Sequence, residues 1–465
     1  MASGLLIHNT TIDKLSLGKI VVDNRDLLSN LHDNILGHIL SFLPATEAVR
    51  TSVLSKRWIR VWRSITGLQF DDSMLYSGKR TPKEHFINYV NNTLSHLGDS
   101  SFLNFSLSLL RYLYDPSQIS AWIYFILGRG VRNLRVHYAD KVLLSSCSLF
   151  NCSSLEHLVL QMRCTLSVTS SSVCLPNLQY LSFSGIRLVS DSSSDSKDLT
   201  LSFPVLKVFE ARGCEWSMQN VSIQVPQLQT FSIAFWSSLS NESSRCSINI
   251  YAPNLTDFSY EGDLEHEIIL SNPSSIHKAS VVIVFDEDRN DGMREIDAWT
   301  HMLLRQFHKV ENLKLWFYKV PMHAKDAFAD LRAFGRLNYL QINEVAGEAL
   351  LNLLHNSPML KTLVLLHGVF KFNKDLLTSA SVPRCFHSCL KVFQFGGFNV
   401  HEHELSLAKF VMGNAAKLER MTITTAFWLK YSNINMEEVK EQLLSFPKCS
   451  TYASLEFADV NGLLR

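Results

Sequence analysis

Apolar and polar positions along the chain fall into two textures. From residue 102 to residue 423 one spacing keeps returning: an apolar residue, two others, an apolar residue, one other, an apolar residue. It reads Leu155-Glu-His-Leu158-Val-Leu160, Leu178-Gln-Tyr-Leu181-Ser-Phe183, Leu228-Gln-Thr-Phe231-Ser-Ile233 and Leu360-Lys-Thr-Leu363-Val-Leu365, among others. The thirteen copies begin at 102, 131, 155, 178, 206, 228, 255, 276, 310, 337, 360, 390 and 418. Each copy predicts one short strand whose alternate residues point inward. No single unit can bury such a face alone, so neighbours must stack into a solenoid. Pro176, Pro204, Pro226 and Pro253 each stand two residues before a copy, where a residue without an N–H does not interrupt a ladder.

Residues 24–66 follow a different period. Leu31, Ile35, Leu36, Ile39 and Leu40 recur at helical spacing before Pro44. Thr46 is placed to cap a second helix, with Glu47 in its first turn and Ala48, Val49 and Val53 along it. Trp58 and Trp62 stand four apart in a third helical stretch. Three short helices make a marginal core. Such a module either keeps an apolar surface for another chain or docks on the array. The expected fold class is α/β: a small three-helix module, then an irregular leucine-rich-repeat solenoid with one strand per repeat and a parallel sheet on its concave face. The expected divisions are a flexible tail over 1–23, the helical module over 24–71, the array over 81–385 and a repeat-like cap over 386–465.

Composition narrows the partners. The 465 residues carry 44 Lys+Arg against 43 Asp+Glu, which disfavours a partner chosen by bulk charge, such as nucleic acid or an anionic membrane. Hydrophobic residues are 46% and charged residues 19%, so a large core is available and wholesale disorder is excluded. No stretch reaches the ~20 apolar residues of a membrane span, and the first nineteen residues do not read as a signal peptide. Nine cysteines, an odd number with no CxxC, read as reduced, mostly buried thiols of a cytoplasmic or nuclear protein. The sequon-like Asn241-Glu-Ser243 and Asn254-Leu-Thr256 then carry no meaning. Ser190 to Lys197 reads as a polar loop. Asp286 to Asp291 reads as a solvated acidic turn before a helical segment near Ile296–Phe307, because it lacks the glycine and terminal glutamate of a calcium loop. His401 and His403 would share a face on a strand, but no third zinc ligand has a readable spacing. No phosphate-binding, hydrolase-elbow or metalloprotease motif occurs, so no catalytic residue, metal or cofactor is expected.

The run Asp26-Leu27-Leu28-Ser29-Asn30-Leu31-His32-Asp33-Asn34-Ile35-Leu36-Gly37-His38-Ile39-Leu40-Ser41-Phe42-Leu43-Pro44, followed by Ala48-Val49-Arg50-Thr51-Ser52-Val53-Leu54-Ser55-Lys56-Arg57-Trp58, resembles the plant F-box closely over some 45 residues. Cys389-Leu-Lys-Val-Phe-Gln-Phe-Gly-Gly-Phe398 with Glu404 to Ile423 is similar to the FBD element that closes many plant F-box leucine-rich-repeat proteins. The resemblance implies a substrate receptor of an SCF-type cullin–RING ubiquitin ligase that itself makes and breaks no bond. The F-box would dock a Skp-type adaptor, and through it cullin and RING subunits, while the array binds a target protein. The implied adaptor face is Leu31, His32, Ile35, Leu36, Ile39, Leu40, Val53, Leu54 and Trp58. Ile39 and Val53 are equally placed to enter the module's own core. Two departures stand out: the family's Leu-Pro is Leu31-His32 here, and its Asp-Glu is Asp33-Asn34. Losing a fixed φ at residue 32 predicts weaker adaptor binding. The run Lys56, Arg57, Arg60 and Arg63 either steers an acidic adaptor or is a solvated helix face. The alternative function is a non-catalytic binding scaffold whose degenerate F-box is not coupled to ubiquitin transfer.

Outward positions of the strands mark where a target would bind. Arg135, His157, Trp236, Trp316 and Tyr318 are the candidates, the aromatics because exposed rings often anchor interfaces. Further outward residues, among them Glu210, Asp257, Lys314, Tyr339 and Asn343, mix charged and polar types, so no ligand of one sign is favoured.

Overall fold

The computed structural model describes residues 28–43, 45–63, 65–73, 83–97, 103–168, 172–190, 198–235, 246–263, 266–284, 293–318, 331–370, 377, 381–432 and 434–458. The N-terminal tail, Pro44, Trp236, the Asn241 sequon, the polar loop after Ser190 and the acidic loop 286–291 lie outside them, as do the side chains of Thr46, Arg63 and Tyr318. Two compact units divide at Ile65 and Thr66.

The first unit holds three helices, α1 (Asp33–Leu40), α2 (Ala45–Arg50) and α3 (Lys56–Arg63), with a 3-10 turn over Thr51–Val53 before α3. His32 caps α1 with φ −66° and ψ 146°, and its Nδ1 accepts a long bond of 3.4 Å from the Asn34 N–H. Asp33 adds negative charge to the first turn, where the helix dipole favours it. Leu36, Leu40, Ala45 and Ala48 are buried.

In the second unit every described strand of the long sheet pairs parallel to its neighbours. All thirteen copies read from the sequence begin two residues before one of its strands, from Asn104–Leu109 to Arg420–Thr425. The described sheet has sixteen strands. One of these is the short Glu215–Trp216, which pairs beside the end of Tyr180–Ser190. The two end strands, Gly67–Asp71 and Ser454–Ala458, obey the same spacing: Ile65-x-x-Leu68-x-Phe70 and Tyr452-x-x-Leu455-x-Phe457. Gly67–Asp71 therefore belongs to the array and not to the helical module, ahead of the boundary expected at residue 71.

The register is set by one recurring device. From Thr66 to Lys391 the carbonyl just before a repeat strand accepts two N–H groups from the next unit, as Arg132 does from Glu156 and His157, and Lys207 from Gln229 and Thr230. The turn leading into the strand is closed by an i to i+3 bond, such as Leu178 N–H to Leu175 O and Leu228 N–H to Val225 O. Pro176 and Pro226 hold the i+1 position of those turns, where a φ near −65° is wanted.

Inward residues form one continuous core. Phe209, Phe231 and Phe258 are paired across adjacent strands. Their rings stack with centroids 5.0 and 5.8 Å apart. The middle units also return along a second strand. Ser172–Cys174, Asp198–Ser202, Asn220–Gln224, Ser247–Tyr251 and Glu267–Leu270 build a separate five-stranded parallel sheet. Units toward either end return by helices, including Pro116–Leu127, Met293–Leu304, Gly347–His355 and Glu402–Asn414. One strand per repeat thus describes the long sheet, and the middle of the array adds a strand to each unit. The local cause is period: Asn220-Val-Ser-Ile-Gln alternates polar and apolar, whereas Gly347-Glu-Ala-Leu-Leu-Asn-Leu-Leu-His clusters its leucines at helical spacing.

None of the eight described cysteines is in a disulfide. Burial pushes the thiols of Cys214, Cys246 and Cys385 up to about 12, and that of Cys164 to about 11, so these thiols stay protonated and unreactive at neutral pH.

His266 titrates the other way. Its ring is buried 4.4 Å from the Phe235 ring, and its Nδ1 accepts the Cys246 N–H at 3.3 Å. Burial lowers its pKa from 6.5 to about 4. Below pH 6.5 the unfolded chain takes up a proton that the folded ring refuses. Its contribution is therefore complete above pH 6.5 and is lost as pH falls toward 4. The expected loss over that window is about 3 kcal/mol. Urea unfolding of the wild type and of His266→Phe at pH 7 and pH 4.5 measures it; an equal acid loss in both proteins would refute this assignment.

Candidate functional site

The helical unit carries an exposed apolar face. Ile35 is 49% exposed, Ile39 42%, Phe42 75%, Val53 86% and Leu54 64%, joined by Leu28, Leu43 and Ile59. Of the nine residues expected to face an adaptor, Leu36 and Leu40 are corrected: they are 1% and 2% exposed and belong to the core. His32 is exposed, and Leu31 and Trp58 are half-buried. The reason is angular. Residues 35 and 39 share one side of α1, with Phe42 in the turn just beyond its end, and residues 36 and 40 lie about 100° further round. The apolar arc was therefore too wide for a single partner. Phe42 was not among the nine; an apolar residue three positions after Ile39 was the one signal the sequence offered for it.

Arg57 fixes this face. From α3 its Nε donates to Asp33 Oδ1 at 2.7 Å, and its terminal nitrogens donate to the Ser29 and Leu31 carbonyls. One guanidinium fork so ties the start of α1 to α3, a geometry that lysine cannot reproduce. The basic run therefore contains a structural staple, and Glu47 pairs with Arg50 rather than with this run. Arg57→Ala is expected to destabilise the unit by about 1.5–3 kcal/mol, the usual worth of hydrogen bonds to a charged group. Arg57→Lys is expected to restore less than half of it. Thermal melts of residues 28–65 within the full chain, followed by hydrogen exchange, read both values.

The outer face of the long sheet is the second surface. At its N-terminal end the side chains link strand to strand. Asn133 donates to Asn104, and His157 Nδ1 lies 2.6 Å from Asn133 Oδ1. The His157 and Tyr180 rings stack at 6.1 Å, and the Tyr180 and Ser182 hydroxyls donate to Glu210 Oε2 at 3.2 and 3.3 Å. Burial, helped by Glu210, raises the Tyr180 pKa and keeps that phenol a donor. Arg135 is exposed beside this row. Trp316 is half-buried six strands away from His157, a distance of about 29 Å at ~4.8 Å per strand. The structure therefore does not gather the expected target contacts into one cluster, and neither Trp236 nor the Tyr318 side chain is among those described. Asn343 is a further correction. It is buried, and its Oδ1 accepts the Phe317 N–H at 3.1 Å and the Glu344 N–H. What the sheet does gather is a cleft of about 500 Å³ lined by Asp257, Lys278, Asn312, Lys314 and Tyr339. It opens over Ser259 and Ser280, small residues in register on adjacent strands. Asp257 and Lys278 are 3.5 Å apart there.

Near the C-terminus, Glu404 is a fully buried carboxylate. Its Oε2 accepts the Asn399 N–H at 2.8 Å and the His401 N–H at 3.1 Å. Asn399 in turn accepts a bond of 2.8 Å from the Trp428 indole. Gly397 has φ +60°, and a Cβ there would lie 2.7 Å from the His367 Cα, so only glycine fits the turn. His403 Nε2 is 3.1 Å from the Val369 carbonyl. Among the described residues no group of three His, Cys, Asp or Glu side chains is placed to hold a metal ion.

Comparison with known proteins adds to this geometry. A family model described as the F-box domain matches residues 28–67, and one described as FBD matches residues 378–423. The chain is similar to an F-box/FBD/LRR-repeat protein of Arabidopsis thaliana, 30% identical over 446 residues that cover 93% of this chain and 94% of the relative. It is similar also to an Arabidopsis thaliana F-box/LRR-repeat protein, 27% identical over 92% of this chain and 88% of that one. A third relative, a putative FBD-associated F-box protein of the same plant, is 25% identical over 87% of this chain and 93% of its own length.

Proposed function

Because the chain belongs to the F-box/FBD/LRR-repeat proteins of plants, whose names point to a non-catalytic adaptor-type role, we propose that it is the substrate-recognition subunit of an SCF-type cullin–RING ubiquitin ligase. The observation that carries this reading is the bare apolar face of Ile35, Ile39, Phe42, Val53 and Leu54. An aliphatic side chain gains ~1.5–3 kcal/mol on full burial, so covering this face with another chain is favourable, and contiguous exposed apolar patches mark docking surfaces. A Skp-type adaptor would cover it and bring cullin and RING subunits with it. His32 supports the same reading. Its φ of −66° is the value that proline would impose, so the start of α1 keeps the family's backbone geometry without the ring.

The array would then hold a target protein on the outer face of the long sheet, with Arg135, His157 and Trp316 among its contacts. The subunit itself would act by proximity, raising the effective concentration of target lysines near a ubiquitin thioester. A cytoplasmic or nuclear setting goes with that role. The test is co-purification of the full chain with a Skp-type adaptor and cullin. Recovery of the three together is expected. A chain that never retains the adaptor would overturn the proposal and leave a binding scaffold.

A further inference from the structure

A second cleft, of about 480 Å³, lies within the array, and no described strand of the long sheet lines it. One wall is Glu267–Leu270, the last strand of the five-stranded sheet. The other is the helix Met293–Leu304 with the 3-10 turn Arg305–Phe307 that follows it. Ile268, Ile269, Leu270, Pro273, Trp299 and Met302 supply apolar surface, and Ile269 and Met302 are still 37% and 46% exposed.

A free edge strand usually invites another strand. This one is blocked from doing so. The Gln306 amide takes the place of a neighbouring peptide: its Oε1 accepts the Leu270 N–H at 2.7 Å, and its Nε2 donates to the Ile268 carbonyl at 2.9 Å. The cleft is thus not built for strand addition. Its charge is lopsided as well. Arg305 and Arg332 line it, both exposed, and neither is in an ion pair among the described residues. Glu267 is the acidic residue on its wall, and that carboxylate already accepts a bond of 3.2 Å from Ser247. The His308 ring also lines the cleft, and its buried Nδ1 has no hydrogen-bond partner among the described residues. Apolar walls with a few convergent polar groups are the ordinary make-up of a small-molecule site.

We propose that this cleft binds a small amphipathic organic anion, its apolar body against Ile269, Trp299 and Met302 and its anionic head toward Arg305 and Arg332. The apolar walls and the two guanidinium groups, neither in an ion pair among the described residues, each suit one half of that ligand. All of its residues lie in the array and none in the helical unit.

The test uses the full chain and two fluorescent probes, anilinonaphthalene sulfonate and its uncharged analogue N-phenyl-1-naphthylamine. Saturable binding of the anion at one site per chain is expected. The double variant Arg305→Gln, Arg332→Gln is expected to weaken the anion at least tenfold and to leave the neutral analogue within twofold. Met302→Trp, which fills the cleft from an exposed position, is expected to weaken both. Circular dichroism verifies that each variant is folded, and single arginine substitutions stand in should the double variant not fold. Non-saturable anion binding, or equal affinity in the wild type and the arginine variants, would overturn the proposal. So would a chain that is dimeric by light scattering and becomes monomeric with Met302→Trp, since a second copy would then occupy the cleft.

Discussion

Replacing Ile35 and Val53 together by Asp is expected to abolish recovery of the Skp-type adaptor, with an affinity loss of at least about 100-fold. The two side chains are 49% and 86% exposed, so their replacement leaves the core of the helical unit intact. Buried anchors at protein interfaces cost ~2 kcal/mol or more when removed, and each ~1.4 kcal/mol is a factor of ten in affinity. A carboxylate forced against an apolar partner surface adds a desolvation penalty. Two such positions therefore exceed 100-fold with margin. Leu36→Asp makes the contrast, because it strikes a side chain that is 1% exposed and is expected to unfold the unit and not merely to bare it. Circular dichroism separates the two outcomes. Unchanged adaptor recovery by the folded Ile35→Asp, Val53→Asp chain would refute the assignment of this face. In plant cells the same double variant, compared with the intact chain by proximity labelling, should stabilise those targets whose loss depends on the adaptor.

The second large effect lies in the core of the array. Phe231→Ala is expected to destabilise the array by about 3–5 kcal/mol, the usual cost of deleting a buried aromatic ring. Its ring lies between those of Phe209 and Phe258 at 5.0 and 5.8 Å, in a layer whose neighbours are fixed by strand register, so the cavity cannot close by a shift of one chain segment. Thr230→Ala, one residue earlier on the outer face, is expected to stay within about 0.5 kcal/mol. Units of a solenoid interact mainly with their neighbours. The loss is therefore expected to appear first as faster hydrogen exchange in strands Val208–Arg212, Thr230–Ala234 and Asp257–Gly262. Exchange accelerated equally along the whole sheet would show that the array unfolds as one unit instead.

The two surfaces were legible to different degrees. The apolar spacing located every strand it named, because an inward residue in a stacked array has no alternative to burial. The same spacing was present at Ile65–Phe70 and Tyr452–Phe457, and only the assignment of those residues to flanking elements hid it. The division of the helical face into Leu36 and Leu40 inside and Ile35, Ile39 and Phe42 outside was not legible from period alone, since all five are apolar. Arg57 read as a surface charge, because its partners Ser29, Leu31 and Asp33 lie more than twenty residues away along the chain.

Sequence alone determined the repeat, the strand positions, the helical start and the family pattern, since each of these depends on residue type at short spacing. Tertiary structure alone decided which apolar side chains stay bare, that the middle units return by strand, and that Gln306 closes a sheet edge beside Arg305 and Arg332. These outcomes depend on which distant segments come within a few ångströms of one another, and no local spacing records that.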